Sequence, residues 1–136
     1  MPYVTRQQVE DKIPPPALLD ALDDDGDGQE DAGRFDSIVA TASQEVEGYL
    51  AGLYAVPFAD PAPAKVRAAS FAFTCELIYN RRESKIPDWL AAQVKFWRDH
   101  LQKVGNREVP FDAGTEKAFV PGAAITERVS ANAQST

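Results

Sequence analysis

Apolar residues at Phe35, Ile38, Val39, Ala42, Val46, Tyr49, Leu50 and Leu53 recur at spacings of three and four, the period that gathers side chains on one face of an α-helix. Asp36, Ser37, Thr41, Ser43, Gln44, Glu45 and Glu47 fall between them on the opposite face. The pattern predicts a helix over residues 32–54, about 34 Å long at ~1.5 Å per residue. Each large side chain of the stripe gains ~1.5–3 kcal/mol on burial, but only against partners that cover it. The remaining chain is expected to supply them.

Two short helices are predicted before the long one. Thr5 with Gln8 three residues on has the form of a capping box, opening a helix from Arg6 to about Lys12. Pro14, Pro15 and Pro16 stop it, because each lacks an amide donor and biases its predecessor toward extended geometry. Proline is tolerated in a first helical turn, so Pro15 or Pro16 can open a second helix through Ala17, Leu18, Leu19, Ala21 and Leu22. An acidic turn, Asp23-Asp24-Asp25-Gly26-Asp27-Gly28-Gln29-Glu30-Asp31, then leads to the long helix, with Asp31 placed to cap it.

After the proline-rich corner at residues 55–63, Asp60 and Pro61 are expected to start a helix running to about Arg82. Its Val66, Ala69, Ala72, Phe73, Cys75, Leu77 and Ile78 are apolar over much of the circumference, the mark of a central helix. Ser84 or Ile86-Pro87 starts the next, with a stripe of Leu90, Val94, Trp97, Leu101 and Val104 and with Gly105 as its stop. Trp89 and Phe96 lie off that stripe. Beyond Gly105 the periodicity ends, and an extended arm, disordered in the free protein, is expected. The fold class is therefore all-α: a small bundle of two short N-terminal and three longer helices, residues 1–105, followed by an arm, residues 106–136.

Composition narrows the function. A chain of 136 residues with 44% hydrophobic content sustains one modest core. A net charge of −7 argues against a surface that grips DNA phosphates or anionic lipid, although it allows DNA to slide past. The single Cys75 cannot form an intrachain disulfide, which fits a reducing compartment. No apolar run approaches the ~20 residues of a membrane span, and the start carries no export signal, so a soluble, unexported protein is expected.

Asp23, Asp25 and Asp27, with Gly28, match the first half of a calcium-binding helix-loop-helix, which takes oxygen ligands at loop positions one, three and five and a glycine at six. Asp31 stands at position nine. Position twelve should hold a bidentate Glu and holds Arg34, whose charge opposes a metal. The turn is either a helix-capping acidic loop or a weak calcium site. His100 is the sole histidine and reads as a surface residue, and Cys75 reads as core packing without an orienting base. With no nucleophile pair, phosphate loop or zinc spacing, neither enzymatic activity nor a cofactor is expected. Arg81, Arg82 and Lys85 form the densest basic cluster, either a solvated helix end or a contact for an acidic partner. Trp89, Phe96, Phe111 and Phe119 either fold back onto the domain or anchor an interface.

Tyr3-Val4-Thr5 before a short helix, the run Leu22-Asp23-Asp24-Asp25-Gly26-Asp27-Gly28, the string ASQEVEGYLAGL from Ala42 to Leu53 with Tyr54 and Pro57 after it, the helix from Val66 through Tyr79-Asn80-Arg81-Arg82, and the helix containing Trp97 together carry a resemblance. The chain resembles the small Mu-like phage proteins encoded among head and tail genes. The resemblance implies an all-helical head-to-tail connector that docks under the portal at the head-tail junction of the virion, after synthesis in the host cytoplasm. It implies a homo-oligomeric ring, commonly of about twelve copies, with the portal and a tail-completion or tail-terminator protein as partners and DNA passing through its lumen. A tail-completion role and a calcium-responsive binding module are the other two readings.

Overall fold

The proline and glycine breaks divide the chain where the pattern predicts. In the computed structural model, which describes residues 3–59, 62–81 and 85–111, five helices follow one another: α1 (Arg6–Glu10), α2 (Pro15–Leu22), α3 (Arg34–Leu50), α4 (Ala64–Asn80) and α5 (Asp88–Gly105). The fold is an all-α bundle. Among the described residues no helix is long and apolar enough to cross a membrane.

Helix α4 is the centre. Val66, Ala69, Ala72, Phe73, Cys75 and Ile78 are buried around its circumference, so it has to be covered from several sides, and α1, α2, α3 and α5 all pack on it. The α3 stripe is buried as expected at Ile38, Val39, Ala42, Val46 and Leu50, with Phe35, Tyr49 and Leu53 packed at its edges. On α5, Leu90, Val94, Leu101 and Val104 are buried, and Trp97 is half-buried beside them. Ile13, between α1 and α2, is also in the core.

Polar residues flanking the stripes fasten the helices to one another. Arg98 of α5 reaches both neighbours: its Nε donates to Glu45 of α3 at 2.9 Å and its Nη1 and Nη2 donate to Glu76 of α4 at 2.8 and 2.6 Å. Its guanidinium also lies 4.9 Å above the Phe73 ring. Hydrogen bonds donated to Glu76, then to Glu45, raise its already high pKa further. A planar five-donor fork can hold two carboxylates in bidentate pairs at once, which a lysine cannot.

The helix ends differ from expectation in instructive ways. The capping box of α1 is present, Thr5 Oγ1 accepting from the Gln8 amide and Gln8 Oε1 from the Thr5 amide. Asp31 does not cap α3. The N-cap is Gly33, at φ 76°, because the Asp31 carboxylate is taken by the Asp24 amide at 3.2 Å. At the far end α3 stops at Leu50, and a looser turn over Ala51-Gly52 carries the chain to Tyr54. Helices α4 and α5 open on Pro63 and Pro87; the expected starts at Asp60, Pro61 and Ser84 lie outside the described residues.

Gly105 is the last residue of α5 rather than its left-handed stop. That conformation falls on Arg107, at φ 64°, where the Arg107 amide donates to the Val104 carbonyl and the Glu108 amide to that of Lys103, the pair of bonds that defines a Schellman motif. Gly105 serves packing instead: a Cβ there would stand 2.9 Å from the Tyr49 carbonyl oxygen. The packed chain then runs on to Phe111, which is 3% exposed. Tyr54 Oη donates to the Phe111 carbonyl at 2.7 Å. Tyr3 Oη donates to Glu47 at 2.8 Å and accepts from the Phe58 amide at 2.7 Å. With ring contacts Phe111–Tyr54–Phe58–Tyr3, these form an aromatic brace between the first and last described residues.

Two glycine substitutions should separate packing from propensity. Gly105→Ala drives a methyl against backbone that cannot yield and should lower stability by about 1–3 kcal/mol in urea titration. Gly48→Ala, inside α3 with open space around it, should raise stability by about 0.5–1 kcal/mol.

The brace has a pH signature. Burial, followed by Glu47 and against the pull of the Phe58 amide, pushes the Tyr3 phenol from 10.0 up to about 12. From pH 10 to 12 the unfolded chain therefore releases a proton that the folded chain keeps, so this contribution is full below pH 10 and is lost as pH rises through that window. Burial pushes the Cys75 thiol from 9.0 to about 12 and adds a loss of the same sign. Tyr3→Phe, which orphans the Phe58 amide, should cost about 1–3 kcal/mol at neutral pH. It should also flatten the alkaline decline of the melting temperature above pH 10; an unchanged slope would contradict the brace.

Candidate functional site

The acidic loop between α2 and α3 is built by its own carboxylates. Asp23 accepts from the amides of Gly26 and Gly28 at 2.8 and 2.9 Å, Asp25 from that of Asp27 at 3.1 Å, and Asp27 from that of Gln29 at 2.9 Å. Gly26 and Gly28 adopt φ 73° and 84°, the left-handed conformation that a side chain resists. The Asp31 amide closes the base of the loop on the Leu22 carbonyl.

Arginines surround this loop. Arg34 pairs with Asp24 at 2.8 Å and lies 3.5 Å from Asp31. Arg81, at the end of α4, donates to Asp24 at 2.5 Å and to the Ala21 carbonyl at 2.6 Å, and Arg6 pairs with Glu30. Charge pairing thus falls on Asp24, Glu30 and Asp31. Asp23, Asp25 and Asp27 also converge, their carboxylate oxygens within 4.8 Å of one another.

The crowding separates their titration. Desolvation opposes it, but the Gly28 amide, the Asp25 side chain and the Gly26 and Asp27 amides hold the Asp23 carboxyl below its ordinary value. The Asp27 amide draws the Asp25 carboxyl down, yet its bond with Asp23, desolvation and the charge of Asp27 leave it raised. This is the behaviour of carboxylates that cannot all ionise freely side by side.

Three carboxylates could supply part of a calcium shell, which takes 6–8 oxygens. Asp31, expected as a further ligand, is turned to the Asp24 amide and to Arg34, and is absent from the convergent group. The closing position holds the Arg34 guanidinium, directed at Asp24 and Asp31. The side chains as arranged give the half-site expected from sequence and no closing carboxylate.

The other expected positions are scattered. Arg81 belongs to the acidic loop's own scaffold, and Lys85 is exposed. Trp89 packs at the core edge with Lys12 Nζ 5.6 Å above its ring. Phe111 is in the core. Arg82 and Phe119 lie outside the described residues. Phe96 is 56% exposed, the most exposed large hydrophobic side chain among the described residues.

Phe96 does not stand alone. Its ring stacks on His100 at 5.5 Å and 9° and meets Trp97 edge-on at 5.0 Å, while His100 touches Phe111 at 6.1 Å. The spacing of 96, 97 and 100 on one helix places the three together. They form an aromatic ridge along the outer side of α5. The pattern places Trp97 on the stripe, where it is half-buried at the core edge, and His100 on the surface; the 96/100 spacing is the signal that joins them to Phe96.

The geometry gives a packed helical body, an acidic loop tied to it by arginines, and one aromatic ridge. No curated protein and no solved structure matches the chain. The model of the family described as Bacteriophage Mu, Gp36 matches residues 3–127. That span takes in all five helices, the acidic loop and the ridge, and this Mu-like phage protein belongs to the bacteriophage Mu Gp36 family.

Proposed function

We propose that this protein is a structural component of the virion that forms an oligomeric ring between portal and tail, sealing the packaged head and presenting a platform for the tail. The observation that carries the reading is the exposed ring of Phe96, backed by Trp97 and His100, on a protein of net charge −7. Rigid aromatic side chains are the favoured anchors of protein interfaces. Lys85 and Trp89, with Arg82 and Phe119 by their sequence, complete the contact set. An acidic lumen repels DNA and lets it pass without sequence-specific binding. Residues beyond Phe111 serve as an arm that fastens the ring to the portal or to adjacent copies.

Co-sedimentation with tail-free, DNA-filled heads that carry a portal tests the proposal. Saturable binding that then permits tail attachment supports a connector. Phe96→Asp should abolish that binding while leaving the melting temperature unchanged or raised, since the ring is exposed. Truncation after Phe111, which spares the brace, should give a folded protein that no longer joins heads. Binding to isolated tails but not to heads would establish a tail-completion protein instead.

The convergence of Asp23, Asp25 and Asp27 favours a second reading, a calcium-responsive module. Under the connector reading, adding excess chelator should shift the melting temperature by less than about 2 °C, whereas a calcium-dependent fold would lose the linkage free energy of its ion. The melting curve with and without chelator decides between them.

A further inference from the structure

The aromatic ridge has a counterpart on the same molecule. A groove of about 480 Å³ runs along α3 between Tyr3 and Pro57, with Val39, Ala40 and Pro57 supplying apolar surface and Asp36 and Glu47 its charges. Among the described residues, no cation lines it. Glu47 is held by the Tyr3 hydroxyl, whereas Asp36 is exposed and has no polar side-chain partner among the described residues.

Ridge and groove face opposite ways. Arg98 of α5 bonds Glu45 of α3 and so marks the side on which the two helices meet. Successive helical residues turn by about 100°, which puts Asp36, Ala40 and Glu47 roughly 140–180° round α3 from Glu45. By the same count Phe96 lies about 160° round α5 from Arg98. The two features cannot meet within one molecule, but they can meet between two.

Their chemistry is complementary. Along the ridge stand Lys95 and Lys103, with Asp99 pairing to Lys103 at 3.3 Å. Lys95, next to Phe96, is exposed and without a partner among the described residues. An aromatic flanked by cations thus matches an apolar groove flanked by carboxylates. On a chain of net charge −7, this local reversal of sign offsets the repulsion between copies. The Phe96 ring is already stacked on His100 and edge-on to Trp97, so docking costs it little rotamer freedom.

We propose that the aromatic ridge of one copy docks in the α3 groove of the next, with Phe96 over Val39 and Ala40 and Lys95 paired to Asp36. A contact between two different faces leaves a free groove at one end and a free ridge at the other. It therefore propagates from copy to copy and closes into a ring when the rotation permits. The assignment rests on the ring reading above and names the contact that builds it.

Sedimentation of the full chain at concentrations up to about 1 mM tests the contact. Wild-type protein should associate as concentration rises, and Phe96→Asp and Ala40→Arg should each weaken self-association at least about tenfold, as loss of a central anchor does. Mixed together, these two variants should form a 1:1 pair and nothing larger, through the intact groove of the first and the intact ridge of the second. Asp36→Lys and Lys95→Glu should each weaken association and, combined in one chain, restore it. A wild-type monomer throughout that range, no pairing in the mixture, or self-association that survives Ala40→Arg would overturn the proposal. If heads bind the wild-type protein but the mixture does not pair, the interface fails and the connector reading stands. If the mixture pairs but heads are ignored, the interface stands and the connector reading fails.

Discussion

Helix α4 has no side that can face water at low cost. With Val66, Ala69, Ala72, Phe73, Cys75 and Ile78 buried around it, it forms only when other helices enclose it, and none of those helices holds enough apolar surface to stand alone. The bundle is therefore cooperative by necessity. Arg98 adds direction to that burial: by joining Glu45 and Glu76 across α3 and α4, it fixes the rotation of α5, which hydrophobic contact leaves loosely defined. The same rotation turns Phe96 outward, so the exposed ridge follows from how the core is locked.

The helices were legible because periodicity and proline report local physics. The α3 stripe, the central character of α4 and the Thr5–Gln8 box needed no knowledge of the rest of the chain. What escaped was decided at long range. Asp31 was free to cap α3 until the loop's own amides claimed it, and Gly105 carries the sequence mark of a helix stop but is set by the approach of Tyr49, fifty-six residues earlier in the chain. Ile13 sits between two short helices with no period to betray it.

The candidate site divides in the same way. The convergence of Asp23, Asp25 and Asp27 was visible in the spacing alone, because loop position fixes where those carboxylates go. The engagement of Arg81 with Asp24 crosses fifty-seven residues and could not be read. Phe111 and Phe96 were indistinguishable as off-stripe aromatics. Only the left-handed turn at Arg107, which sends the chain back over Tyr54, buries one while the other stays outside.

That turn also sets how the molecule would bear load. Tension applied beyond residue 111 meets the Tyr54–Phe111 hydrogen bond and its ring contact before it reaches any helix. That hydrogen bond, the rings of Tyr54 and His100, the Lys65 cation over the Phe111 ring and the burial of Phe111 are few holds beside those of the interlocked core. The brace thus acts as a mechanical fuse: it releases first, lengthening the chain by a few residues while α3, α4 and α5 keep their shape.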